Sequence, residues 1–179
     1  MGEDIHRLRK PASEDDWSRG PADGLPLVEY LDYQCSHCQA AYPVIESVLA
    51  ELGGRVRFVV RHFPVASIHP QAKGAALAAE AAGRQGKFWE MHRRLLEARG
   101  ALSEVDLRRY AQELRLDLEQ FDRDRVDESL SAEIREEKLL GVRSGVNGTP
   151  TLYIGDVRYD GRISGEDLKA ALLAELNGS

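Results

Sequence analysis

LVEYLDYQCSHCQAAYPVIESVLAELGG, residues 27–54, carries two periodicities in succession, with both of the chain's cysteines at the point where one gives way to the other. The first seven residues, LVEYLDY, are rich in aliphatic, aromatic and β-branched residues, a composition that predicts a strand buried on both faces. Beyond Cys35 the apolar residues Ala41, Val44, Ile45, Val48, Leu49 and Leu52 recur at helical spacing, and Gly53–Gly54 supply a C-terminal stop. Pro43 inside this helix removes one backbone donor and predicts a kink. RVRFVVRHFP (55–64) reads as the next strand, ended by Pro64. A strand, a helix and a strand form a βαβ unit, which makes the two strands parallel through a right-handed crossover. CSHC, residues 35–38, therefore sits at a strand-to-helix junction.

Outward from this unit, the pattern changes twice. Residues 1–24 read as a charged, largely irregular lead-in ending in the turn-rich GPADGLP (20–26). From about 66 to 128 no strand is visible, and the periodicity is helical throughout. Pro70 opens a helix rich in small residues that permit close packing, Phe88, Met91 and Leu95 share one face of the next, and Ser103 with Asp106 forms a capping-box pattern. SAEIREEKLLGVRSG (131–145) reads as one more helix, ending near Gly145, and only after it does the chain return to β structure. TLYIGD (151–156) and VRYDGRI (157–163) predict a hairpin about Gly155–Asp156, and SGEDLKAALLAEL (164–176) predicts a closing helix capped by Ser164 and Asp167. The division expected is a core of 25–65 and 129–179 with an all-helical subdomain, 66–128, inserted into it.

With 179 residues, 42% apolar and 30% charged, the chain has the makeup of a folded globular protein. Its net charge of -6, without a block of Lys or Arg, argues against nucleic acid or an anionic membrane surface as partner. No apolar run approaches the ~20 residues of a membrane span. The first 24 residues include His6, Arg7, Arg9, Lys10, Glu14, Asp15, Asp16 and Arg19 and hold no apolar core of a secretory signal. As written, the sequence is expected in the cytoplasm; with a leader removed, it would be an exported one.

Two cysteines three positions apart close too small a loop for their bridge to stabilise the fold appreciably, so their chemistry is the better reason for them. Cys35 at a helix N-terminus meets amide N–H groups without intrahelical partners and the positive end of the macrodipole. Both favour thiolate, lowering its pKa from ~8.5 into the range of roughly 3.5–7.5. Cys38, one turn further in, is expected to be better covered, which suggests that Cys35 exchanges and Cys38 resolves. His37 between them stabilises the thiolate further, making the reduced form more stable and the disulfide more oxidising.

Strand–CxxC–helix–strand, followed far downstream by GTPT (148–151), a hairpin and a helix, resembles the thioredoxin superfamily. The inserted helices and the CSHC motif are similar to its DsbA branch of thiol–disulfide oxidoreductases, over residues 26 to 176. The resemblance implies an α/β thioredoxin fold, a mixed central sheet flanked by helices, with the helical insertion forming a cap. It implies Cys35 as nucleophile, Cys38 as resolving thiol and His37 as the tuning residue. It also implies that Thr149–Pro150 is a cis-proline loop facing the cysteines, with Thr149 backbone groups open to an extended substrate segment. Glu29, six residues before Cys35, matches an acidic residue of that branch and would relay a proton for Cys38. Ser36, placed with Thr149 and Pro150 among substrate-contacting positions, departs from the proline of the best-known motif. Protein or peptide thiols and disulfides are the implied substrates, with a redox partner to reset the couple and no metal or organic cofactor.

Other readings of the same residues compete. Zinc could take Cys35, Cys38 and His62 or His69, yet a structural site needs four spaced ligands and no second CxxC exists. Glu29 could instead be salt-bridged to Arg61, and Asp32 competes with it as the acid near Cys35. His62, His69, His92, Phe88 and Trp89 read as packing or surface residues. As a whole, the chain could be a peptide-holding module with incidental cysteines, or belong to the glutathione-handling branch, against which an intact CxxC argues.

Overall fold

The computed structural model describes residues 6–178, and they fall into two compact units. The first consists of residues up to Leu31, Ala40–Arg61 and Leu139 onward. Its strands are β1 (Trp17–Arg19), β2 (Leu25–Leu31), β3 (Val56–His62, whose last residue falls in the second unit), β4 (Thr151–Ile154) and β5 (Val157–Tyr159), in the sheet order β1-β3-β2-β4-β5. β1 pairs antiparallel with β3, β2 with β4, and β4 with β5. β2 and β3 are neighbours joined through α1 (Ser36–Glu51), the kind of crossover that parallel strands require. The sequence of β2 explains its place at the centre: Leu27 to Leu31 are buried without interruption, Glu29 included. A strand covered on both faces cannot alternate apolar with polar residues.

α1 continues unbroken through Pro43, and Gly53 and Gly54 follow it with φ of +57° and +76°, the left-handed conformation that glycine adopts without steric cost. Gly155, with φ of +62°, takes the first position of the two-residue β4–β5 turn, as the sequence predicts. α7 (Gly165–Gly178) buries Leu168 and Leu172, and its Ser164 Oγ accepts the Asp167 N–H at 3.1 Å. The stretch read as an irregular lead-in differs from expectation by containing β1. That strand is only three residues long, too short to carry a period, and what makes it a strand is its pairing with Phe58, Val59 and Val60 of β3.

The second unit consists of Asp32–Gln39 and His62–Lys138. Beyond the start of α1 it is helical: α2 (Ala72–Arg84), α3 (Phe88–Glu97), α4 (Glu104–Glu113), α5 (Leu118–Arg125) and most of α6 (Glu128–Arg143). α2 is its axis, packed against α3, α4 and α5. Seven buried alanines make that approach possible, because a helix surface without long side chains lets three neighbours come close. Around it Met91, Leu95, Leu107, Tyr110 and Phe121 fill the core. The capping box at Ser103 is formed in both directions, with Asp106 N–H on Ser103 Oγ at 3.2 Å and Ser103 N–H on the Asp106 carboxylate at 3.1 Å. No helix among the described residues is long and apolar enough to cross a membrane.

Candidate active site

The two cysteines occupy the first turn of α1. The Cys35 carbonyl accepts the Gln39 N–H at 3.1 Å, the first intrahelical bond, which makes Cys35 the N-cap residue. Its own N–H is donated to the Asp32 carbonyl at 3.0 Å, closing the turn that delivers the chain from β2 into the helix. Cys38 follows one turn on, so the two side chains emerge from the same helix face. Their environments differ as the sequence suggests: Cys35 retains 6% exposure and Cys38 none. Ser36 and His37 between them are exposed. Of the two, Cys35 is the more accessible from solvent. Gln39 Nε2 donates to the Tyr33 carbonyl at 3.0 Å and fixes the turn from the helix side.

Around this turn the second unit holds a set of buried polar groups that sequence reasoning treated as packing. His62, 2% exposed, lies with Nε2 2.8 Å from Glu80, and its backbone N–H is donated to the Glu137 carboxylate. Burial alone would depress the His62 pKa, but the Glu80 hydrogen bond and the charges of Glu80 and Glu137 outweigh it and raise the value above 6.5. Tyr33 Oη lies 2.9 Å from His92 Nδ1, and the His92 ring stacks on Phe88 at 5.9 Å. His69 lies with Nδ1 2.8 Å from the Asp32 carboxylate. The imidazoles that a zinc reading would have recruited are thus bonded to carboxylates. These pairs link residues 18 to 59 positions apart, a separation that periodicity cannot show.

In the first unit, Glu29 stands in β2 opposite Leu152 of β4 and is 3% exposed. Desolvation raises its pKa from 4.5 to about 8, with the Arg19 charge pulling the other way. Arg61 is not its partner. The Arg61 guanidinium is 2% exposed and binds Asp16 through two bonds, Nε to Oδ1 at 2.9 Å and Nη2 to Oδ2 at 3.0 Å, a bidentate pair. Arg19 in turn pairs with Glu46. The Thr149–Pro150 peptide bond is cis, and it leads directly into β4, where Thr151 faces Tyr30. Glu29 and this loop are thus brought to the same stretch of the β2–β4 ladder. Thr149 and Pro150 are both partly exposed.

A family model described as thioredoxin matches residues 14–174. Among solved structures, a thioredoxin-like oxidoreductase from Silicibacter pomeroyi DSS-3 superposes with a TM-score of 0.82 at 28% identity, covering 93% of this chain and 95% of that one. BdbD from Bacillus subtilis gives 0.82 at 20% identity over 96% and 98% of the two chains. The thiol-disulfide exchange protein alpha-DsbA2 from Wolbachia pipientis gives 0.78 at 23% identity over 92% and 88%. At such identities the likeness is one of fold. Of curated proteins, the Na(+)/H(+) antiporter NhaA 1 of Salinispora arenicola is 39% identical over 181 residues, which is 100% of this chain and 28% of that protein. The Na(+)/H(+) antiporter NhaA 1 of Mycolicibacterium vanbaalenii is 39% identical over 172 residues, again 28% of its length. This chain thus spans little more than a quarter of the curated relatives it matches. Matched over residues 14–174 by one family model, with the sheet order and CxxC turn described above, the chain belongs to the thioredoxin superfamily and has the fold of its DsbA-like members.

Proposed function

We propose that the chain is a protein thiol–disulfide oxidoreductase working through the Cys35–Cys38 couple. The observation that carries this reading is the asymmetry of one helical turn: Cys35 at the N-cap keeps a residual 6% exposure, and Cys38 one turn further in has none. In the oxidising direction, a substrate thiolate attacks Cys35 Sγ of the Cys35–Cys38 bridge. That bond breaks, a mixed disulfide forms on Cys35, and Cys38 leaves as a thiolate. A second substrate thiolate then attacks the substrate sulfur of the mixed disulfide, expelling Cys35 as the stabilised thiolate, so that the substrate is oxidised by two electrons and the couple reduced by two. In the reducing direction each step reverses.

Glu29, a buried carboxyl that changes protonation near neutral pH, is proposed as the group that gives a proton to Cys38 and takes it back. His37 is assigned to the Cys35 thiolate, and Ser36, Thr149 and Pro150 to an extended substrate segment, with Thr149 supplying backbone partners. The substrates are protein or peptide thiols and disulfides, and a redox partner resets the couple. The antiport named for the curated relatives belongs to much longer proteins and is not assigned to this chain.

Exchange with a dithiol peptide tests the reading. Cys35→Ser should abolish turnover, by more than about 100-fold, whereas Cys38→Ser should accumulate a mixed disulfide on Cys35. Turnover that survives Cys35→Ser would sink the assignment. Loss of turnover in the wild-type protein itself, with peptide binding intact, would point to a peptide-holding module instead.

A further inference from the structure

Asp32 lies three residues before Cys35, and its side chain has no solvent exposure. Its oxygens accept two backbone N–H groups and face one imidazole nitrogen. Oδ1 takes the Gln34 N–H at 2.8 Å, and Oδ2 takes the Val65 N–H at 2.9 Å and faces His69 Nδ1 at 2.8 Å. The Asp32 carbonyl holds the Cys35 N–H, and Gln34 Oε1 accepts the Gln71 N–H at 2.7 Å. The turn 32–35 and the loop 65–71 are therefore one hydrogen-bonded assembly, and Asp32 is its centre. Two of the groups on the carboxylate are fixed backbone amides. The third, His69, is a side chain with 21% exposure, in contact with solvent on one side and with a dry carboxylate on the other.

A buried carboxylate this near a cysteine opposes its ionisation to the extent that the donors around it leave its charge uncompensated. Backbone amides offer dipoles of fixed size, whereas an imidazole N–H directed at Oδ2 would add a donor that a substitution can remove. We propose that His69, acting through Asp32, is a positioning residue for Cys35: it fixes and electrically balances the carboxylate that shapes the Cys35 turn, and so sets how readily Cys35 becomes a thiolate. The inference deepens the exchange reading above and rests on it for its biological meaning, though not for its measurement.

The test compares full-length wild type with His69→Ala, His69→Asn and His69→Gln. An Asn amide reaches the place of Nδ1 and restores a donor; a Gln amide overshoots it. The readouts are the pH titration of thiolate absorbance in the reduced protein, the equilibrium of the Cys35–Cys38 couple against glutathione, and the thermal midpoint. His69→Ala and His69→Gln should raise the titration midpoint of Cys35 and shift the glutathione equilibrium toward the disulfide by about threefold or more. His69→Asn should recover much of both shifts. A merely structural His69 would lower the thermal midpoint and leave both redox readouts in place in all three variants, and that result overturns the proposal. A wild-type protein that forms no Cys35–Cys38 bridge with glutathione overturns the exchange reading instead, while the thiolate titration still decides the role of His69.

Discussion

Glu29 shows how one side chain links stability to chemistry. Its pKa of about 8 in the folded protein against 4.5 ordinarily means that the folded state keeps a proton that the unfolded chain releases. Stability therefore falls as pH rises from 4.5 through about 8 and is level beyond, a loss on the order of a few kcal/mol. Glu29→Gln cannot ionise and should flatten that slope, so that urea unfolding finds the variant more stable than wild type at pH 8.5 and similar at pH 5. The same variant should slow exchange by about 10- to 100-fold if the carboxyl moves the Cys38 proton. His62 adds a slope of the same sign: with its pKa raised, its stabilising ion pair is complete below 6.5 and lost as pH rises through the folded value. Glu29 was legible in the sequence because a carboxylate inside an apolar strand is conspicuous. Asp32 is visible in the sequence only as its competitor, and His69 only as a possible zinc ligand or a packing or surface residue, since nothing local marks either as the partner of the other. What joins them is a contact across 37 positions, and no local pattern encodes it.

Elements with strong local signals were read nearly to the residue. The S-x-x-D box at Ser103 forms as predicted, and Ser103→Ala should cost about 1 kcal/mol by chemical denaturation. β1 is the opposite case. Its residues, WSR, carry no alternation, and the charges around it suggest solvent. In the structure those charges are the partners of buried or half-buried groups, Asp16 of Arg61 and Arg19 of Glu46. Asp16→Ala leaves the Arg61 guanidinium buried without its carboxylate and should cost about 3–5 kcal/mol. The turn after β1 is equally constrained. Gly20 has a φ of +92°, and a Cβ there would stand 2.3 Å from the Val56 carbonyl oxygen. Gly20→Ala should therefore destabilise by at least about 1–3 kcal/mol, read as a drop in the thermal midpoint. Both requirements come from β3 across the sheet, which is why a reading of residues 1–24 alone could not find them.

At the scale of the molecule, the periodicities give the order of strands and helices, but how segments group depends on bonds between distant residues. The sequence places a natural cut where strands cease, near 66 and 128. The compact units cut elsewhere, with 32–39 grouped with the helices through the Asp32 bonds to Val65 and His69. The sheet is likewise completed from far apart: Leu27 of β2 pairs with Ile154 of β4, more than a hundred residues later. Loop-closure entropy makes such pairing slow to form. During synthesis, β2 leaves the ribosome long before its β4 partner exists, and for that interval an apolar strand offers unmet backbone groups on one side. Nascent chains stalled before Thr151 should accordingly associate and pellet, whereas those released after the hairpin should not, a contrast that centrifugation of translation products would reveal. Any need for shelter during synthesis is therefore expected to be concentrated in the delay between the first long strand, β2, and its partner β4.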